Sequence, residues 1–236
     1  MLHSGLPVAV LLTAPAEEEM TPNQITLLRV LMGFAAVALF ARNFWCDIAA
    51  LALTIAAITL DALDGYLARR RKLATALGAQ FDILGDRVVE NLFFTFFAVT
   101  GLVSLWVPVL FFVRGTLTDF LRSLAARAGQ NGFDANSLRQ TWWGRALVAS
   151  RASRAAYGAM KCLCFCYLGV ELTLVRLPAT SLPPVEVAWV HAVAEALISA
   201  TVAFCLIRAV PVFWEGRRYF SVASSVHAKT IVDRAQ

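Results

Sequence analysis

The sequence predicts an all-α integral membrane protein in which six transmembrane helices enclose a polar cavity facing the cytoplasm. Three observations carry that expectation. First, the 236 residues are 59% hydrophobic and only 16% charged, well above the apolar share of roughly 45–50% found in soluble domains. Second, apolar runs at 25–41, 47–68, 83–105, 107–127, 146–175 and 186–210 each approach the length of about 20 residues that crosses a bilayer as helix. Third, the charges are asymmetric. The 69–82 connection carries Arg69, Arg70, Arg71 and Lys72, the stretch around 127–154 carries Arg127, Arg139, Arg145, Arg151 and Arg154, and Arg217 and Arg218 follow the last run. The opposite side holds only Arg42 and Arg176. Under the positive-inside rule, an even number of spans then puts both termini in the cytoplasm. Tryptophans agree: Trp45, Trp106 and Trp189 fall at outer ends and Trp142, Trp143 and Trp214 at inner ends, where aromatic belts lie.

Along the chain, residues 1–20 read as a flexible or interfacial flank. Their apolar run LPVAVLLTAPA imitates a signal peptide but lacks a basic start and is followed by Glu17, Glu18 and Glu19. Residues 21–215 form the membrane domain and 216–236 a cytoplasmic tail. The outer connector RLPATSLPPVE is broken by its prolines, and the inner GQNGFDANS reads as a turn. A net charge of +5 does not indicate nucleic acid, because the basic residues gather at the ends of apolar runs rather than in a stripe with aromatics. Cys162, Cys164 and Cys166 alternate and so cannot share a helix face. With Cys46 and Cys205 they read as small buried hydrophobes, not as metal ligands or a disulfide framework.

The chemistry-bearing stretch is DALDGYLARRRKLATALGAQFDILGD, residues 61–86. Asp61 and Asp64 are three apart and Asp82 and Asp86 four apart, so each pair shares a helix face with about 4.5–6 Å of rise between its members. Four converging carboxylates would repel without a cation. Oxygen-only ligands point to a hard ion, Mg²⁺ or Mn²⁺, as a pair of ions in phosphoryl chemistry. Gly65, Gly78 and, more weakly, Ala68 keep the facing surfaces bare for a flat or phosphorylated ligand, and Arg69 is placed to meet a phosphate oxygen.

The pattern Asp61-x2-Asp64-Gly65-x2-Ala68-Arg69-x8-Gly78-x3-Asp82-x3-Asp86 resembles the complete defining motif of the CDP-alcohol phosphatidyltransferases. TPNQITLLR, residues 21–29, resembles the segment opening the first membrane helix of bacterial phosphatidylglycerophosphate synthases. The resemblance implies transfer of a phosphatidyl group from CDP-diacylglycerol to a polar alcohol with release of CMP, in phospholipid biosynthesis at the inner membrane. It further implies that Asp61, Asp64, Asp82 and Asp86 hold two metal ions and that Asp86 accepts the acceptor's hydroxyl proton. Asp64, Gly65, Ala68, Arg69, Gly78 and Asp82 would bind the nucleotide, and the chain would form a homodimer.

For the acceptor, Arg114 and Arg122 in the fourth run and Arg151 and Arg154 at the fifth are the candidate phosphate-binding residues, since arginine forks suit phosphate. VRGTLTDFLR resembles the fourth helix of phosphatidylglycerophosphate synthases, which favours glycerol 3-phosphate. Against it, Gly115 stands where that subfamily commonly has an acidic residue, Asp119 is an addition, and its Lys-x-Lys-Thr run appears here as SRASR. Inositol phosphate, inositol and serine stay open as acceptors. Lys161 and Glu171 either pair between helices or snorkel. A divalent-cation transporter or channel is the alternative of a different class. It calls for carboxylates at mid-membrane, whereas these four cluster at one edge.

Overall fold

Proline at a first helical position loses nothing, because the amide it lacks has no partner there. Pro22 and Pro184 open the first and last helices. The computed structural model describes residues 22–71, 76–127, 150–177 and 183–234, and among these the chain is all-helical. The helices are α1 (Pro22–Leu39), α2 (Phe44–Arg71), α3 (Ala76–Val99), α4 (Trp106–Arg127), α5 (Arg151–Val175) and α6 (Pro184–Arg234). Side-chain caps mark two further starts. Asn43 Oδ1 accepts from the Cys46 amide at 2.9 Å and Ser150 Oγ from the Ser153 amide at 3.1 Å, each meeting a donor that helix geometry leaves orphaned.

These helices follow the six apolar runs, with two differences. α3 starts at Ala76 instead of 83, so Gly78 and Asp82 lie within helix, and α6 continues to Arg234, well past 210. Hydropathy falls at both places, with Gln80 and Asp82 before residue 83 and Glu215, Arg217 and Arg218 after 210, but a polar side chain does not by itself end a helix. By length and composition, Ala152–Val175 and Glu186–Trp214 suffice to cross a membrane, while Asn23–Leu39 and Phe44–Leu60 are shorter apolar helices.

α1 packs on α2 and α3, α4 on α3 and α6, and α5 on α2 and α6. Side-chain contacts fix direction and level. Ser153 meets Arg208 while Glu171 meets His191, so α5 and α6 run antiparallel. Arg29 meets Asp82 while Phe40 meets Phe96, so α1 and α3 run parallel. The core between them is aromatic. Phe94 lies 4.4 Å from Phe111 and 4.8 Å from Phe165 by ring centroids, and Phe93 lies 5.2 Å from Phe165. Outward, the helices expose Leu31, Phe34, Phe112, Leu163, Ile207 and many other large apolar residues, a surface that hydrocarbon covers better than water. Trp45, Trp106, Trp189 and Trp214 are all exposed. Trp142 and Trp143 lie outside the described residues.

Lys161 and Glu171 both pair between helices, Lys161 with Glu90 of α3 and Glu171 with His191 of α6. Cys164 and Cys205 are buried, Cys46, Cys162 and Cys166 partly so, and all five thiols are free. At the end of the bundle where α1 turns into α2, Asp47 is only 1% exposed. Its Oδ1 accepts from the Ala41 amide at 2.7 Å, and Arg176 Nε approaches its Oδ2 at 3.9 Å. Asp47 therefore closes the α1–α2 turn, where Ala41 takes a positive φ of 65°. Asp47→Ala is expected to cost about 1–3 kcal/mol, the penalty of a buried donor left unmet, read as a lowered Tm in detergent. Asp47→Asn, whose oxygen still accepts from Ala41, is expected to cost less.

Candidate active site

Asp61, Asp64, Gly65, Ala68 and Arg69 all fall on the last turns of α2, and Gly78, Asp82 and Asp86 on the first turns of α3. Only residues 72–75 separate the two helices, so the two halves of the motif sit at the same end of the bundle. Helical backbone through 61–64 and 82–86 gives each aspartate pair a common face, as its spacing requires. The side chains of Asp61, Asp64, Gly65, Ala68 and Arg69 lie outside what the structure describes.

Asp82 and Asp86 are each about half exposed, with side chains at 49% and 50%. Both aim an Oδ1 at one atom, Nη2 of Arg29 on α1, at 3.1 Å each. Arg29 is itself buried, its side chain 5% exposed. A guanidinium so placed is tolerable only if carboxylates compensate it, and two do. Gly85 makes the approach feasible. A Cβ there would lie 2.7 Å from Thr26 Cγ2 and 3.3 Å from Arg29 Nη2, so a side chain at 85 would force the α1 side chains facing it to shift. The sequence reading assigned Arg29 no role, although a lone arginine in an apolar run was the available signal.

That two carboxylates one helical turn apart converge on a single nitrogen shows that they can share a cation, which is what metal ligation demands of them. The donor set also fits a hard divalent ion, being all carboxylate oxygen. Among the described residues no group of three metal-ligating side chains forms. The expected set needs Asp61 and Asp64 to complete it.

Below Asp86 a cavity of about 100 Å³ opens between α1, α2, α3 and α5. Arg29, Asp86, Glu90 and Lys161 supply its charged lining, Thr54 a hydroxyl, and Phe93 and Phe165 its apolar floor. Gly158 belongs to the wall, and a Cβ there would meet nothing within 4 Å.

A second cluster surrounds the buried ring of Tyr157. Lys161 Nζ, Arg208 Cζ and Arg114 Cζ stand 4.8, 5.2 and 5.9 Å from its centroid, within cation–π range. The Tyr157 hydroxyl donates to Glu90 Oε1 at 3.4 Å, and Arg208 Nη1 donates to Ser153 Oγ at 2.5 Å. Nε of Arg114 is buried with no hydrogen-bond partner among the described residues. Of the arginines expected to meet a phosphate, Arg114 joins this cluster and Arg154 is exposed on the first turn of α5. Arg122 and Arg151 lie on α4 and at the start of α5, with their side chains outside the description. Arg208 and Lys161 complete the cluster. Arg208 was not anticipated, because it lies inside the most apolar run and its partners come from α5, far away in sequence.

Known proteins give an independent view. Over a stretch of 70 residues, 29% of its length, the chain is 40% identical to a protein of Cereibacter sphaeroides named CDP-diacylglycerol–glycerol-3-phosphate 3-phosphatidyltransferase. Over 69 residues it is 41% identical to a Pseudomonas fluorescens protein of the same name. The matches span 32% and 35% of those relatives, about a third of each. The family model described as CDP-alcohol phosphatidyltransferase matches residues 19–216, most of the chain. The motif, the helical bundle that carries it and this match agree: the chain belongs to the CDP-alcohol phosphatidyltransferase family.

Proposed function

We propose that this protein is a multi-pass inner-membrane enzyme of phospholipid biosynthesis that transfers the phosphatidyl group of CDP-diacylglycerol to glycerol 3-phosphate, releasing CMP. In this reading all six helices span the bilayer, with the Asp82–Asp86 end and both termini at the cytoplasm, and two chains pair as a homodimer. Family membership and the names of the two relatives support the reaction. The observation that carries the acceptor is the Tyr157 cluster. Arg114, Lys161 and Arg208 gather about one ring there, and Nε of Arg114 has no hydrogen-bond partner among the described residues. Converging guanidinium and ammonium donors suit a phosphate monoester. Inositol and serine carry no phosphate for them to meet.

Asp61, Asp64, Asp82 and Asp86 would hold Mg²⁺ or Mn²⁺, as two ions, which when bound neutralise the pyrophosphate of the CDP-lipid. Gly65, Ala68, Arg69 and Gly78 then bound the nucleotide. Asp86, at the mouth of the cavity, accepts the proton of the acceptor hydroxyl as its oxygen bonds to the lipid-side phosphorus. The bond from that phosphorus to the CMP oxygen breaks, and CMP leaves with the electron pair. Arg114 offers its unmet Nε to the acceptor phosphate, and Arg208, held by Ser153, stands against the same ring. The apolar walls keep water from competing for the phosphorus.

CMP release by purified protein in lipid nanodiscs, with CDP-diacylglycerol and Mg²⁺ or Mn²⁺, tests the reading over glycerol 3-phosphate, inositol phosphate, inositol and serine. Release with glycerol 3-phosphate, abolished by chelation, is expected. Release only with an unphosphorylated acceptor would sink the assignment. Asp86→Asn is expected to lower kcat by about 10²-fold or more, the contribution typical of a positioned base, with CDP-lipid binding retained. Arg114→Ala and Arg208→Ala are each expected to raise KM for glycerol 3-phosphate about tenfold or more, the loss of one charged hydrogen bond. The KM for CDP-diacylglycerol should stay within about twofold, less than half of one such bond, and equal effects on both substrates would remove these arginines from the acceptor side.

A further inference from the structure

Glu90 lies one helical turn beyond Asp86 on α3, is 3% exposed, and lines the same cavity. It is the hub of a buried polar network. Its Oε2 lies 3.3 Å from Arg87 Nη1 and 3.5 Å from Lys161 Nζ, and its Oε1 accepts from the Tyr157 hydroxyl at 3.4 Å. Arg87 in turn places Nε 3.6 Å from Asp119 Oδ2 on α4. Gly115 gives Arg87 room: a Cβ there would lie 3.3 Å from both Cδ and Nε of Arg87.

None of the three contacts to Glu90 is short. Charge-assisted bonds between N–H and carboxylate settle near 2.7–2.9 Å, so one carboxylate shared among three donors holds each of them loosely. Lys161 has three N–H donors. With Glu90 at 3.5 Å and the Tyr157 ring at 4.8 Å, its ammonium is fixed in place but not saturated. It stands on the wall of the cavity that Asp86 and Gly158 also line. As a purely structural element the pair would be a poor choice, since well-packed apolar residues usually stabilise a buried site at least as well.

We propose that Lys161 is a specificity-determining residue that binds the acceptor's phosphate inside the cavity, and that Glu90 is the positioning residue that holds it there. This rests on the reading of a phosphorylated acceptor given above. Glu90 orients Lys161 from α3 while Tyr157 supports it from α5, and Asp119 anchors Arg87 so that Glu90 is not drawn away from the cavity.

The sign of one effect separates positioning from charge balance. Removing Glu90's charge makes the site more positive, so if Glu90 only neutralises Lys161, Glu90→Gln should lower KM for glycerol 3-phosphate. If Glu90 positions Lys161, the same change should raise it. The experiment measures KM and kcat for both substrates with purified protein in nanodiscs, metal present, for wild type, Lys161→Gln, Lys161→Arg, Glu90→Gln and Gly158→Leu. Lys161→Gln is expected to raise acceptor KM about tenfold or more at unchanged CDP-diacylglycerol KM. Lys161→Arg should restore most of the loss, and Glu90→Gln should raise acceptor KM. Gly158→Leu, at a wall position where a Cβ meets nothing within 4 Å, is expected to keep Tm near wild type, exclude the acceptor and spare CDP-lipid binding. An unchanged acceptor KM in Lys161→Gln, a lowered one in Glu90→Gln, or normal turnover by Gly158→Leu overturns the proposal. If wild type turns over glycerol 3-phosphate and the variants match it, only this inference falls. If wild type uses unphosphorylated acceptors alone, the functional reading falls with it.

Discussion

A charge inside an apolar helix bundle has to be met by a charge or dipole from another helix, because its desolvation costs several kcal/mol and water is not there to repay it. Arg29 shows the constraint at its strongest. Its guanidinium is buried on α1, and the two carboxylates that answer it belong to α3. Meeting that demand fixes how close α1 and α3 run, and the closeness in turn requires glycine at 85. The same contact draws Asp82 and Asp86 toward one point. Both carboxylates thereby meet one cation, the guanidinium of Arg29.

Polar contacts of this kind decide register where the aromatic core does not. Phe40, Phe93, Phe94, Phe96, Phe97, Phe111 and Phe165 form a continuous cluster with several tilted and stacked pairs, and stacked rings tolerate sliding by a fraction of a turn. Ion pairs do not. Arg29 with Asp82, Glu90 with Lys161, Arg87 with Asp119, Ser153 with Arg208 and Glu171 with His191 pin the helices at distinct levels. Slipping α5 by one turn would separate Lys161 from Glu90 and Glu171 from His191 together. Burial of apolar area holds the bundle shut, and the buried charges select which bundle it is.

Much of this was legible in the sequence, and the illegible part has a physical reason. The six described helices and their approximate positions followed from apolar run length, and the face shared by each aspartate pair followed from spacing alone, because both are local properties of one helix. The apolar run assigned to α3 begins at 83, seven residues after the helix itself does. Hydropathy registers cost in lipid rather than helix propensity, and ALGAQFD carries Gln80 and Asp82 yet is helical. Partners across helices were harder still. Lys161 and Glu171 stood out as charges in an apolar run, but nothing in the chain says that one answers to Glu90 and the other to His191. Arg208 was passed over for the same reason: its neighbours Tyr157 and Ser153 lie some fifty residues away and meet it only in the folded bundle.

The departure at α4 shows how a sequence can look imperfect and be physically intact. The resemblance to phosphatidylglycerophosphate synthases leads to an acidic residue where Gly115 stands, so the glycine reads as a lost carboxylate. In the fold, position 119 is four residues on, one turn along the same face of α4, and Asp119 faces Arg87. The space a side chain at 115 would need is occupied by Arg87 itself. α4 thus carries a carboxylate one turn beyond Gly115, with an arginine from α3 occupying the space beside that glycine. This contact joins α4 to the Glu90 hub, and so couples the helix bearing Arg114 to the helix bearing Asp86. Charge placement in this cluster is then a property of three helices acting together, which a motif read from any one of them does not contain.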